Sequence, residues 1–139
     1  MNTILKSLRY PLGLAMMATL ALFFLQPVLA QDAPWEVPDE YKSYPNPIKR
    51  DAASIAKGKE IFTKNCILCH GEKGDGKGPS SATGSIKPAN FTDKDRMKQS
   101  DGAMAYKILS GRGFMPPWDG KLSEDDVWNV INYIRGFGK

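Results

Sequence analysis

The sequence has very few of the residues that cross-link small proteins or bind metals directly. Its 139 residues include two cysteines and one histidine. Two cysteines cannot form the several disulfides that hold together many small secreted domains, and one histidine excludes a metal site built from several imidazoles. Convincing strand-like alternation is also missing, whereas 13 glycines and 10 prolines favour long loops between few helices. A chain of this length favours one small domain.

The first 30 residues have the layout of a secretory signal peptide. Lys6 and Arg9 precede an apolar stretch from Leu12 to Leu25, no acidic residue occurs, and short side chains lead up to a break after Ala30. We therefore expect cleavage after Ala30 and a periplasmic mature protein. The alternative is an uncleaved membrane anchor, but prolines on both sides keep the apolar stretch below the ~20 residues of a comfortable span.

Charge is nearly balanced once this leader is set aside. Residues 31–139 carry 17 basic and 15 acidic side chains, because the leader holds two basic residues and no acid. This balance is too even for a surface that binds nucleic acid. In an oxidising compartment the two cysteines would form a disulfide unless another group uses them.

Helical patterns begin only after a proline-rich stretch. Residues 31–50 hold four prolines and no helical or alternating pattern, so we expect an extended arm there and a folded domain over residues 51–139. Three aromatic side chains are available to hold the arm on the surface of the domain: Trp35, Tyr41 and Tyr44.

Three helices are predicted within the domain, and each has a plausible capping residue. The first begins near Asp51, and one of its faces carries Ile55, Gly58, Phe62 and Cys66. The second begins at Ser100 and ends at Gly111. The third begins at Ser123, where Asp126 completes a capping box. The buried face of the third helix is formed by Val127, Val130, Ile131 and Ile134.

The strongest motif is Cys66-Ile67-Leu68-Cys69-His70, at the end of the first helix. Two thiols three positions apart can form thioether bonds with both vinyl groups of one haem, and the adjacent imidazole then binds the iron. A thioredoxin-like redox pair would require a strand–helix–strand setting, and a zinc site would require a second pair of ligands. The motif therefore predicts one haem c, attached through Cys66 and Cys69 and ligated by His70.

The sixth ligand of the iron is predicted from the three methionines that follow the leader. Met97 lies among charged residues and is expected on the surface, and Met104 shares a helical face with Ile108 and is expected in the core. Met115 lies in a loop that two prolines stiffen, and such a loop holds a weak thioether ligand at a small ordering cost. We therefore expect His70 and Met115 to be the two iron ligands.

With these motifs, residues 51–138 resemble the monohaem class I cytochromes c, in particular the exported bacterial type. A glycine and an aromatic residue four apart mark the first helix of that family, and an apolar and an aromatic residue three apart mark its last helix. The matching residues here are Gly58 with Phe62 and Val130 with Tyr133. The family's Met-Pro and Gly-Pro pairs are matched by Met115-Pro116 and Gly78-Pro79.

The resemblance implies an all-α fold, a small bundle of three to four helices around one covalent haem c. It also implies that the carbonyl group of Pro79 accepts the second ring proton of His70. The cofactor-binding residues expected on this basis are Cys66, Cys69, His70, Pro79 and Met115.

An iron with histidine and methionine ligands is closed to substrates and reorganises little when one electron moves. Because the only histidine is used on the iron, no imidazole remains as a general base. We therefore expect an exported single-electron carrier between larger respiratory redox proteins, and not an enzyme. The alternatives are an electron-entry subunit of a membrane oxidoreductase and a small peroxidase-like haem enzyme, which would require an open sixth position.

Overall fold

The computed structural model describes residues 34–138, so the expected signal peptide and its cleavage site lie outside the described residues. Five α-helices and no strand occur in the described range. The helices are α1 (Asp39–Lys42), α2 (Ala52–Asn65), α3 (Ile67–His70), α4 (Asp101–Ser110) and α5 (Glu124–Ile134). Two single-turn 3₁₀ helices occupy Pro79–Ser81 and Arg96–Lys98. The all-α fold class is confirmed, with short α1 and α3 in addition to the three longer helices.

The caps predicted for the three longer helices are all present. The Asp51 carboxylate accepts a hydrogen bond from the Ser54 amide (3.0 Å), and the Ser100 hydroxyl accepts one from the Ala103 amide (3.2 Å). The Ser123 hydroxyl likewise accepts from the Asp126 amide, and the Asp126 carboxylate accepts from the Ser123 amide. These contacts satisfy amide groups that have no partner within the helix.

The core lies where α2 packs against α5. Phe62 of α2 and Val127, Val130 and Ile131 of α5 are almost completely buried. The backbones come very close at Gly58, where a Cβ atom would overlap the Asn129 carbonyl oxygen and would lie 2.9 Å from the Tyr133 Cβ. The predicted crossing of the first and last helices is therefore confirmed, and it requires glycine at position 58.

The arm expected over residues 31–50 needs correction. Residues 39–42 of it form α1, and the compact unit begins at Val37 rather than at Asp51. The buried side chain of Asn132 donates hydrogen bonds to the Ile48 carbonyl (3.1 Å) and the Ser54 hydroxyl (2.8 Å). Its side-chain oxygen Oδ1 accepts from the side-chain amide of Asn46 (3.0 Å). A polar residue of α5 thus binds this segment, although the segment itself has no apolar periodicity.

Aromatic contacts also hold residues 37–50 on the helices. The Tyr41 ring lies 4.8 Å from the Tyr106 ring, and the Tyr44 ring stacks on Trp128 at 5.9 Å. Gly102 lets the chain approach α4, because a Cβ atom there would overlap the Tyr41 carbonyl oxygen and lie 2.7 Å from that of Tyr44.

The prediction that Met97 lies on the surface also needs correction, whereas Met104 is buried in the core as predicted. Met97 is half-buried and packs against the edge of the core. The 3₁₀ helix Arg96–Lys98 explains the difference, because its turn leaves the flanking charged side chains exposed while Met97 points inward. Arg135 fixes this turn by donating to the Met97 carbonyl (2.6 Å) and to the Asp101 carboxylate (2.7 Å).

None of the helices between residues 34 and 138 has the length and the apolar character needed to cross a bilayer.

Candidate haem-binding site

The two cysteines and the histidine of the motif lie on one helical turn. Cys66 is the single residue between α2 and α3, and its amide donates to the Phe62 carbonyl of α2 (2.8 Å). The amides of Cys69 and His70 then donate to the Cys66 carbonyl at 3.2 Å and 2.9 Å. Residues three apart on such a turn share a face, which places the two sulfur atoms on the same side of α3. The structure therefore brings Cys66, Cys69 and His70 together.

Both cysteines are free thiols, and both are half-buried. Burial raises the pKa of the Cys66 thiol to about 12, and the neighbouring Cys69 contributes to the same change. Catalytic thiols of redox motifs have depressed pKa values, so this environment does not suit a thioredoxin-like pair. The strand–helix–strand setting of such a pair is also absent from residues 34–138.

The ring of His70 is held in one tautomer. Its Nδ1 atom lies 3.1 Å from the carbonyl oxygen of Ala89. Because a carbonyl group only accepts, the hydrogen bond requires the proton on Nδ1 and leaves the lone pair of Nε2 available for a metal. Burial lowers the pKa of His70, and the hydrogen bond to Ala89 opposes part of that change. The lowered pKa favours the neutral imidazole, which is the form that binds iron.

The prediction that the Pro79 carbonyl accepts the ring proton of His70 is wrong. That carbonyl accepts from the Ala82 amide (3.2 Å) at the start of the 3₁₀ helix. Its neighbour Gly78 packs against α3, where a Cβ atom would overlap the Leu68 carbonyl oxygen and lie 2.7 Å from the Cys69 carbonyl carbon. The Gly78-Pro79 pair therefore allows close packing beneath the motif, and the chain reaches the imidazole ten residues later.

Ala89 and Phe91 are site residues that the sequence patterns missed. Ala89 supplies the acceptor for His70, and the ring of Phe91 stacks on the imidazole with a centroid distance of 4.7 Å. The available signal was Pro88, because a second proline after the motif fixes the backbone beside Ala89.

Met115 lies on a separate loop between α4 and α5, in a tight turn. The amides and carbonyls of Arg112 and Met115 pair with each other at 2.9 Å and 3.0 Å. Gly111 has a φ of 60°, and a Cβ atom there would lie 2.6 Å from the Met115 carbonyl oxygen. The Trp118 amide joins the end of the loop to the Ile108 carbonyl of α4 (3.2 Å). The loop is therefore rigid, and the pairing of Met115 with His70 stays a prediction.

These residues fit a covalently attached haem. Two free thiols share a helical face, and a neutral imidazole beside them has an unprotonated nitrogen. Within residues 34–138 no cluster of three or more histidine, cysteine or acidic side chains is arranged to bind a metal ion directly.

A family model described as cytochrome c oxidase, cbb3-type, subunit III matches residues 53–134, which is more than half of the chain. The chain belongs to this cytochrome c family. The resemblance to monohaem class I cytochromes c is thereby confirmed.

Relatives of this cytochrome include cbb3-type cytochrome c oxidase subunits and cytochromes c6. A cbb3-type cytochrome c oxidase subunit FixP of Bradyrhizobium diazoefficiens is 35% identical over 91 residues, covering 64% of this chain and 29% of the relative. A cytochrome c6 of Picosynechococcus sp. is 34% identical over 85 residues, covering 60% of this chain and 73% of the relative. The chain thus spans about three-tenths of the FixP subunit and about three-quarters of the cytochrome c6.

One solved structure similar to this cytochrome is a chain of the Kuenenia stuttgartiensis reducing HAO-like protein complex. The match has a TM-score of 0.58 and 28% sequence identity, and it covers 67% of this chain and 47% of that chain. The matched part of this cytochrome therefore shares its fold with the matched part of that chain.

Proposed function

We propose that this cytochrome carries single electrons through one haem c that is attached covalently to Cys66 and Cys69, with His70 and Met115 as iron ligands. The observation that carries the proposal is the His70 ring at the end of the attachment turn, where the Ala89 carbonyl holds the proton on Nδ1. When bound, the haem supplies the one-electron redox couple of its iron.

The residues around the motif account for a stable attachment site. The Cys66 carbonyl accepts two amides of α3, and the buried Phe62 supports the turn from the core side. A rigid turn would keep both sulfur atoms in position for thioether bonds and would hold the imidazole beside them as an iron ligand. The role of this chain is thus to bind and orient the haem and to exclude part of the water around it.

Met115 is proposed as the sixth ligand because its loop is rigid and the other two methionines after the leader are used elsewhere. Met104 is 4% exposed in the core, and Met97 packs at the core edge beneath Arg135. A thioether favours ferrous iron and raises the reduction potential. The same ligand closes the site to substrates, so we assign electron transfer rather than catalysis, and a peroxidase-like activity would require Met115 to leave the iron.

The leader pattern over residues 1–30 supports export to the periplasm, where the cytochrome would exchange electrons with larger respiratory redox proteins. The second candidate is an electron-entry component of a membrane oxidoreductase, which the FixP relative favours. Membrane fractionation and size measurement of the native protein distinguish the two. A free carrier occurs in the soluble fraction at monomer size, whereas a subunit sediments with membranes and elutes with partners.

The sixth ligand is tested with Met115→Ala. Haem should stay attached, because attachment uses only the motif residues. The reduction potential should fall, by at least a tenth of the roughly 0.8 V range over which axial ligands set the potentials of haems. The weak red band of methionine-ligated ferric iron should also vanish. Met104→Leu and Met97→Leu are matched controls that keep both the potential and the band. An unchanged potential in Met115→Ala would show that another residue ligates the iron.

A further inference from the structure

One short segment, residues 89–91, contacts the His70 imidazole in two different ways. The Ala89 carbonyl oxygen accepts a hydrogen bond from Nδ1 at 3.1 Å. The Phe91 ring lies against the imidazole with a centroid distance of 4.7 Å and an angle of 20° between the planes. The hydrogen bond fixes the tautomer and directs Nδ1 at Ala89, but it acts on one edge of the ring only, so small rotations about the Cβ–Cγ bond remain. The stacked ring restricts that rotation.

Phe91 is itself held firmly by the core. It is 8% exposed, and its amide donates to the Gly74 carbonyl at 2.6 Å. Its ring meets Phe62 edge-on at 6.4 Å, and Phe62 is fully buried. The Gly76 amide donates to the His70 carbonyl at 2.9 Å, so the backbone of the histidine is also fixed to this loop. Phe91 therefore has no freedom to follow a rotating imidazole.

We propose that Phe91 is a positioning residue for His70, which fixes the plane of the imidazole and keeps Nδ1 directed at the Ala89 carbonyl. This inference rests on the proposed function, since it requires His70 to ligate the haem iron. A hydrogen bond from the second ring nitrogen raises the basicity of a ligating histidine. A more basic imidazole stabilises ferric iron, so Phe91 keeps the reduction potential lower than an unrestrained histidine would.

The test is Phe91→Leu in the haem-loaded protein, because leucine keeps an apolar side chain of similar size but removes the stacking ring. We expect a rise in reduction potential and a changed pattern of the paramagnetically shifted haem methyl resonances in the ferric NMR spectrum, which reports the orientation of the axial imidazole plane. Phe91→Tyr restores the ring and should restore both measurements. If Phe91→Leu fails to fold, Phe91→Met provides a second non-aromatic variant with the same expectation.

Phe137→Leu is the matched control. Phe137 contacts Phe62 and Tyr133 at 5.4 Å and 5.1 Å, and its substitution removes an aromatic side chain from the same cluster. It should lose stability but keep the potential and the methyl pattern. Equal spectra and potentials in Phe91→Leu and Phe137→Leu would overturn the positioning role. A wild-type protein without histidine-ligated iron would instead overturn the proposed function, so the two failures are distinguishable.

Discussion

Gly58 allows the closest backbone approach between α2 and α5, and its replacement by alanine tests the packing directly. The added Cβ atom would overlap the Asn129 carbonyl oxygen and would lie 2.7 Å from the carbonyl carbon of that residue. It would also lie 2.9 Å from the Tyr133 Cβ, whereas carbon atoms rest about 3.5 Å apart or more. Because backbone atoms are involved, no side-chain rotation removes the overlap, and the two helices must move apart.

The separation of α2 from α5 lowers the free energy of unfolding. A gap of roughly 0.5–1 Å forfeits a quarter to a half of the dispersion energy between facing atoms, and Phe62 and Ile131 lie on the two sides of this contact. Overpacking costs about 1–3 kcal/mol, and a clash with backbone belongs at the upper end of that range. The better helix propensity of alanine recovers about 1 kcal/mol. We therefore expect Gly58→Ala to lower the free energy of unfolding by about 2 kcal/mol.

Urea unfolding and thermal melting measure this change. For a domain of this size, the expected fall in Tm is roughly 8–16 °C. Gly58→Val, which adds two further methyl groups, should lower the stability more. Lys59→Ala, at an exposed position of the same helix, is the control and should stay within about 0.5 kcal/mol of the wild type. An unchanged midpoint in Gly58→Ala would mean that α2 and α5 do not pack as described.

The remaining predictions concern the motif and the polar contact of α5. The native protein should keep its colour through denaturation and acid–acetone extraction, and its mass should exceed that of the polypeptide by one haem. The double variant Cys66→Ala/Cys69→Ala should release all of its colour. Colour that extracts from the wild-type protein would contradict covalent attachment. Asn132→Leu leaves the Ile48 carbonyl without its donor and should lower stability by about 1–3 kcal/mol in urea unfolding. Asn46→Ala should lower the free energy of unfolding less when it is added to Asn132→Leu than when it is made in the wild type, because the two side-chain amides share a hydrogen bond. Equal losses in the two backgrounds would refute this coupling.

Signals within a few residues of one another predicted the helices and the attachment motif. Asp51, Ser100 and Ser123 cap their helices because the polar side chain and its target amide are separated by only three positions. The apolar positions of α5 are likewise buried as their spacing indicates, since a helix imposes a fixed period. The five positions from Cys66 to His70 serve one geometry, and so they predicted the site without any distant contact.

Contacts between distant residues explain what the patterns missed. The acceptor for His70 is a backbone carbonyl, and any residue type can supply one, so no side-chain pattern distinguishes Ala89 from Pro79. Residues 37–50 lack periodicity because Asn132, more than 80 positions later, provides their partner. Met97 was expected outside because its charged neighbours dominate the local pattern, while the 3₁₀ turn separates it from them.

Carbon monoxide binding to the reduced, unmutated protein shows directly whether the iron is closed at rest. An iron with both axial positions taken by His70 and Met115 has no site for this ligand, so the absorption spectrum of the ferrous protein should stay the same under carbon monoxide. Met115→Ala, treated in parallel, should bind the gas and show that the assay detects an open position. Ready binding to the unmutated protein would rule out ligation by both His70 and Met115, because an iron that is open at rest suits an enzyme or a sensor rather than a closed electron carrier.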